Sequence, residues 1–159
     1  MAEPHIEAFD SRAGFQRALR ALLAQSFVTL DLFDPDFALF QLGSLESDAA
    51  LRRFLRAGGR LRLAMHVAGH IERHEARFVG LLRDFGHRIE CRVTLRSLRQ
   101  LTDSFAIGDG LHVVRRFHSD HLRGEAAYDA PQEVELPRER FEAIWAESQA
   151  GLQPTTTGL

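Results

Sequence analysis

Three short strand-like runs, FVTLDLF (27–33), RLRLAMHV (60–67) and RIECRVT (88–94), are separated by two stretches with apolar residues at helical spacing. A chain that alternates the two periodicities in this way is held to a layered α/β arrangement, because its strands bury their apolar faces under helices. The first intervening helix is SDAALRRFLRAGG (47–59), stopped by Gly58-Gly59. The second is expected to run unbroken from Gly69 to Phe85, with Ile71, Phe78, Leu81, Leu82 and Phe85 as its stripe. Within RLRLAMHV, Leu61, Leu63 and Met65 share one face, and Arg60, Arg62, Ala64 and His66 share the other.

Around this centre the pattern continues. HIEAFD (5–10) reads as a short strand or an extended lead-in. Asp10 or Ser11 then caps a helix carrying Phe15, Ala18, Leu19, Leu22 and Leu23. Residues 34–45 read as a loop with scattered aromatics, and SLRQL (97–101) as a short turn of helix. SFAIGDGLHVVRRF (104–117) reads as two strands about an Asp109-Gly110 hairpin turn. RGEAAYD (123–129) is a sixth strand, and a last helix over about 137–149 carries Phe141, Ile144, Trp145 and Ser148. The expectation is α/β: a mixed β-sheet flanked by helices on both faces, in a single domain over 1–150 followed by a polar tail at 151–159.

A length of 159 residues suits one domain, and the single cysteine, Cys91, excludes an internal disulfide framework and is expected to be a small buried hydrophobe. No run approaches the roughly 18 apolar residues of a membrane span. The opening MAEPHIEAFD lacks a basic start and an apolar run, so a cytoplasmic location is expected. All 20 basic side chains are Arg, which rules out lysine chemistry such as a Schiff base or a P-loop. They are unevenly placed: residues 1–50 hold 3 Arg against 8 acids, residues 51–99 hold 12 against 4, and residues 100–159 hold 5 against 10. A basic middle between acidic ends fits either an anion-binding surface or mutual neutralisation as the segments pack.

The order of segments resembles one half of the phospholipase D superfamily over roughly residues 11–148. SRAGFQRALRALLAQSFVTLDLF is similar to that family's first helix and strand, and ALRRFLRAGGRLRLAMH to its next helix, turn and strand. The family's closing block reads His-x-Lys-x4-Asp, then Gly-Ser-x-Asn, then Asn-x-Glu, before a helix with an aromatic end. Here the same region reads DSFAIGDG, RRFHSDHLRGEAAYD and ERFEAIWAES. With Asp109 as the motif aspartate, the histidine that would attack phosphorus falls on Thr102, and the lysine that would hold the phosphate falls on Ser104. Without an adjacent base, hydroxyls are far weaker nucleophiles. Arg116-Phe117-His118-Ser119 stands in place of Gly-Ser-x-Asn, and Arg123-Gly124-Glu125 keeps an echo of Asn-x-Glu.

The resemblance therefore implies a degenerate member with no catalytic residues and no cofactor, binding a phosphate-bearing or other anionic ligand. It also implies a homodimer, because single-domain members pair their half-sites, with Arg116, His118 and Arg123 near the interface. In this reading Arg116 and Arg123 grip a phosphate or carboxylate, His118 donates a further bond and Glu125 orients one arginine. His66, at a strand's C-terminal end, either reaches the same pocket or is a half-buried, hydrogen-bonded histidine. Asp109 either marks the old site or simply fills a type I′ turn.

Expected ligands are a phosphorylated small molecule, a phospholipid headgroup or a nucleic acid, the last resting on the arginine excess of 51–99. Two further readings are a phosphoesterase using His66, His70, His74 and His118, and a structural module docking a partner through Phe33, Phe37 and Phe40. His70 and His74 have the i, i+4 spacing of metal ligands, but HIERHEA lacks the order of a zinc peptidase, and His74 falls near the apolar stripe. No metal site is expected.

Overall fold

The computed structural model describes residues 3–153. Strands β2 (Thr29–Phe33), β3 (Arg60–Met65) and β4 (Ile89–Thr94) lie side by side and parallel, as short apolar runs joined by helices must. Their crossovers are α2 (Leu45–Arg56) and a helix pair, α3 (Gly69–His74) and α4 (Ala76–Asp84). Strands β5 (Ser104–Gly108), β6 (His112–Arg116) and β7 (Gly124–Tyr128) follow antiparallel on the other side of β2, with β1 (His5–Phe9) on the outer edge. The sheet is completed by β8 (Ser148–Ala150), giving the order β1-β7-β6-β5-β2-β3-β4-β8. The expected mixed sheet is what the chain forms.

Side-chain alternation splits the core into two layers. On one face, Leu30, Leu32, Leu61, Leu63, Met65, Cys91, Ala106 and Val114 pack under α1 (Arg12–Gln25), α2 and α4. On the other, Phe33, Ala64, Phe105, Ile107 and Val113 pack under α5 (Pro131–Ala146) alone. Ser11 caps α1 by accepting the Gly14 N–H at 3.0 Å, and Ser44 caps α2 through the Ser47 N–H at 3.1 Å. Gly58, at φ 98°, ends α2.

Three expectations are corrected. The helix of 69–85 is broken at Glu75, whose backbone leaves the helical region (φ −120°, ψ 60°) as its buried carboxylate turns inward to accept the Gly43 N–H at 3.1 Å. That turn leaves His74 exposed rather than packed. The last helix starts at Pro131, where proline suits the first helical position, and continues through Pro137. It also ends at Ala146, so Ser148 joins β8, and Leu152 packs against the α1 side of the core. Finally, Phe33, Phe37 and Phe40 are all buried, with Phe37 and Phe40 edge-on at 4.8 Å, so the 34–44 loop offers no exposed aromatic surface for a partner. Residues 154–159 of the expected tail lie outside the described residues.

The hairpin turn does form on Asp109 and Gly110, with φ of 56° and 68° as a type I′ turn requires. Asp109 also fixes the start of β2, because its carboxylate accepts the N–H groups of Phe27, Val28 and Thr29 at 2.7–3.1 Å. Replacing Asp109 with Ala, which frees those donors and strains a positive-φ position, is expected to cost about 2 kcal/mol in urea unfolding, with Asn recovering part of it. Cys91 is buried, and desolvation pushes its thiol up to about 12. Thiol reagents at neutral pH should therefore leave the folded protein unlabelled and modify it fully in denaturant.

Candidate functional site at the rim of the sheet

The C-terminal ends of β2, β3 and β4, the start of β5 and the end of β6 form one rim of the sheet, the place where α/β folds open their ligand crevices. By strand parity, Asp34, Ser104 and Arg116 all face the α1 side here, since Leu32, Ala106 and Val114 do. Ser104 and Arg116 are cross-strand partners. The Arg116 guanidinium donates from Nη2 to Asp34 Oδ1 at 2.7 Å and to Ser104 Oγ at 3.0 Å. From Nη1 it donates to the carbonyls of Ser119 at 2.6 Å and His121 at 3.3 Å. It also lies over the Phe15 ring, 5.2 Å from the centroid. The other Asp34 oxygen accepts the N–H groups of Asp36 and Phe37, which pins the start of the 34–44 loop.

All three side chains are buried, Arg116 with 6% and Asp34 with 2% of its surface exposed. Burial pushes the Asp34 carboxyl above its usual range, while the bond to Ser104, the charge of Arg116 and the two backbone donors pull it down. Arg116 Nε is buried without a partner among the described residues.

On the α5 side the rim is different. His66 is buried, its Nδ1 2.6 Å from Thr94 Oγ1 and its Nε2 2.9 Å from the Leu101 carbonyl, with Phe33 edge-on against the ring. Beside it, between the start of β5, the end of β6 and α5, lies a cavity of about 560 Å³. Thr102, Asp103, Ser104, Phe105, Arg115, Arg116 and Arg140 line it, and Phe117 and Leu136 form its outer lip, 55% and 76% exposed. Asp103 and Arg140 close one wall through two bonds of 3.0 Å.

The residues singled out in the sequence are thus only partly brought together. Arg116, His118 and Arg123 share the rim: Arg116 is buried and engaged, His118 is half-exposed in the β6–β7 loop, and Arg123 is exposed without a carboxylate partner among the described residues. Glu125 faces a different arginine than expected. It is the cross-strand partner of Arg115, at 3.6 Å, because odd-numbered residues of β6 point to the α5 side. His66 belongs to that same side, with both ring nitrogens spent on the chain itself. Asp109 lies at the opposite end of β5, so it does not reach the rim.

His70 is bonded to Glu75 at 3.1 Å. Among the described residues no group of three or more His, Cys, Asp or Glu side chains is placed to hold a metal ion. Sequence reasoning missed Asp34, which reads only as a strand-closing residue before Pro35. Its parity with Leu30 and Leu32 was the available signal.

Residues 11–153 match the family described as a Domain of unknown function (DUF7931). No curated protein matches the sequence. Among solved structures the fold is similar to the phospholipase D family member Nuc from Salmonella typhimurium (TM-score 0.69, 16% identity, 94% of this chain and 99% of that one). It is also similar to NucT from Helicobacter pylori (0.66, 9% identity, 94% and 100%). A third likeness is to TrmBL2, an archaeal chromatin protein whose structure shows a novel mode of DNA binding (0.70, 10% identity, 92% of this chain and 54% of that one). The chain therefore has a phospholipase D-like fold. No helix among the described residues is long and apolar enough to cross a membrane.

The packing around Ser104 makes a sharp prediction. Ser104→Ala loses one bond to a charged donor and should cost about 1–2 kcal/mol. Ser104→Lys puts an ammonium against a buried guanidinium with one carboxylate between them, and should cost more than about 3 kcal/mol. Chemical denaturation of the two variants checks the ranking.

Proposed function

We propose, for a chain that belongs to the DUF7931 family and has the phospholipase D-like fold, a non-hydrolytic role in which the rim binds a phosphate-bearing or other anionic ligand. The observation that carries this reading is the Asp34–Arg116–Ser104 cluster. At the two positions where the resemblance expects a nucleophilic imidazole and an ammonium, the chain has an exposed Thr102 and a buried Ser104 whose hydroxyl is spent on Arg116. The one carboxylate bonded to Ser104 is Asp34, which is already committed to Arg116 and to the Asp36 and Phe37 N–H groups and so is a poor base for making that hydroxyl a nucleophile at phosphorus.

Binding falls to the groups that remain open. Arg123 and the Nε2 edge of His118, whose Nδ1 accepts the Asp120 N–H at 3.0 Å, line the β6–β7 loop, and Arg115 stands at the cavity with only a long contact to Glu125. Arg116 supports them from beneath by holding the Ser119 and His121 carbonyls, and does not touch the ligand. The same end of the sheet exposes Val67 (53%), Leu95, Phe117, Leu122 and Leu136, an apolar surround that suits a second copy meeting the first across a two-fold axis.

Three outcomes are expected. Bis-aryl phosphate should not be hydrolysed with or without divalent ions, and turnover abolished by His118→Ala would overturn the reading. Inorganic phosphate or a phosphomonoester, titrated by calorimetry, should bind roughly tenfold more weakly to His118→Ala/Arg123→Ala. Light scattering at micromolar concentration should give a dimer; a monomer would refute the pairing.

A further inference from the structure

Opposite the rim, where the three parallel strands begin, a second basic surface has no role in the reading above. Leu61 and Ile89 are partners in the β3–β4 ladder, which makes Arg60 and Arg88 neighbours one step earlier on adjacent strands. They face away from α1–α4 and, with Arg62, line a groove of about 470 Å³. The two carboxylates in that groove are committed: Asp31 to Arg62 at 2.8 Å, and Glu90 to Arg92 at 3.1 Å. Glu142 is likewise bound to Arg62. Arg60 and Arg88 have no carboxylate partner among the described residues, and like charges side by side in a sheet are unfavourable unless an anion joins them.

The surface extends along the same edge. Arg53 and Arg56 stand in the last turn of α2, without carboxylate partners among the described residues. Arg53 Nη2 donates to the Leu23 carbonyl at the end of α1 at 2.8 Å, and attraction to the α2 C-terminus accounts for Arg56 and in part for Arg88, but not for Arg60. Arg88 Nη1 donates to the Gly58 carbonyl at 3.0 Å, and the Arg60 N–H to the Val28 carbonyl at 3.0 Å, so the starts of β2, β3 and β4 form one continuous edge. On that edge Phe27 is 56% and Val28 64% exposed, and the Arg53 guanidinium lies 5.1 Å over the Phe27 ring. Asp109, the carboxylate beneath Phe27, is occupied by three backbone donors.

From this juxtaposition we infer that the N-terminal edge of the parallel strands binds single-stranded nucleic acid, with Arg53, Arg56, Arg60 and Arg88 on successive phosphates and a base stacked on Phe27. The spread of guanidiniums from the end of α2 across the starts of β3 and β4 fits a linear polyanion better than a single phosphate group. The exposed ring beside them supplies the sequence-tolerant stacking that single strands require. The inference does not rest on the rim, since it uses the other end of the sheet.

The test is fluorescence anisotropy with a labelled oligothymidylate of about twenty nucleotides. Four engaged phosphates predict an affinity that falls about fifty-fold between roughly 50 and 200 mM salt. Arg60→Glu/Arg88→Glu should weaken binding by more than about tenfold and flatten the salt slope by about 1.4, while Phe27→Ala should weaken it about tenfold. The rim variant His118→Ala/Arg123→Ala should bind the oligonucleotide as the unmodified protein does, which separates this edge from the rim. Should the double reversal prevent folding, Arg56→Glu is the substitute, because that side chain is exposed and makes no hydrogen bond among the described residues. No binding at low salt, full affinity in a folded Arg60→Glu/Arg88→Glu or Arg56→Glu protein, loss of binding in the rim variant, or tighter binding to anionic vesicles than to the oligonucleotide would each overturn the inference.

Discussion

A guanidinium sunk into the core at the end of a strand has to be met by its own chain, because an unpaired buried charge is prohibitive. Arg116 meets this constraint by gathering five groups from four parts of the fold: the residue after β2, the start of β5, two carbonyls of the β6–β7 loop, and the ring of Phe15 in α1. The geometry of the rim follows from those contacts. Asp34 is held in place by Arg116 and in turn orders the 34–44 loop through two backbone donors, which is where Phe37 (φ 63°) and Phe40 enter the core. The β6–β7 loop is fixed from beneath, so the side chains it presents to solvent, His118 and Arg123, are carried on an anchored frame.

The same commitment of Arg116 to its own chain makes the rim chemically quiet in the proposed reading. A site that transfers phosphoryl groups needs a nucleophile with a base beside it and cationic groups left free for the substrate. Here the buried cation is already matched to a carboxylate, and the neighbouring hydroxyl is consumed in holding it. What stays open to solvent lies outside that cluster. At the rim these are an arginine, a histidine and an apolar lip. At the opposite edge of the parallel strands they are the unpaired Arg60 and Arg88 beside Phe27. In the two proposed readings one sheet carries anionic-ligand surfaces at opposite ends, and its interior charge is spent on structure.

Much of the architecture could be read from local pattern, because periods of 2 and 3.6 are set by the backbone itself. The alternation in RLRLAMHV put Leu61, Leu63 and Met65 together on one face, Ser11 and Gly58 marked helix ends, and Asp109-Gly110 marked the hairpin. Most of the misreadings have one cause, a partner distant in sequence. Glu75 breaks its helix to serve Gly43, 32 positions away. The late start expected for the last helix, at about 137, is a local error, since Pro131 already occupies the first turn. At the site, strand parity groups Arg116 with Val114, but nothing local shows that Asp34, 82 positions earlier, takes up the charge. Arg116 therefore read as a ligand arm when it is a buried strut, and Glu125 was assigned to the wrong arginine for want of the β6–β7 register.

The most direct test of this account is a double-mutant cycle on Asp34 and Arg116, read by urea unfolding of the two single variants, Asp34→Asn and Arg116→Met, and of the double. If Arg116 is committed to Asp34, each single variant loses about 3–5 kcal/mol and the double loses much less than their sum, a coupling of at least about 2 kcal/mol. Additive losses, with a coupling within about 0.5 kcal/mol, would mean that Arg116 is free of Asp34 and available to a ligand, contradicting the account.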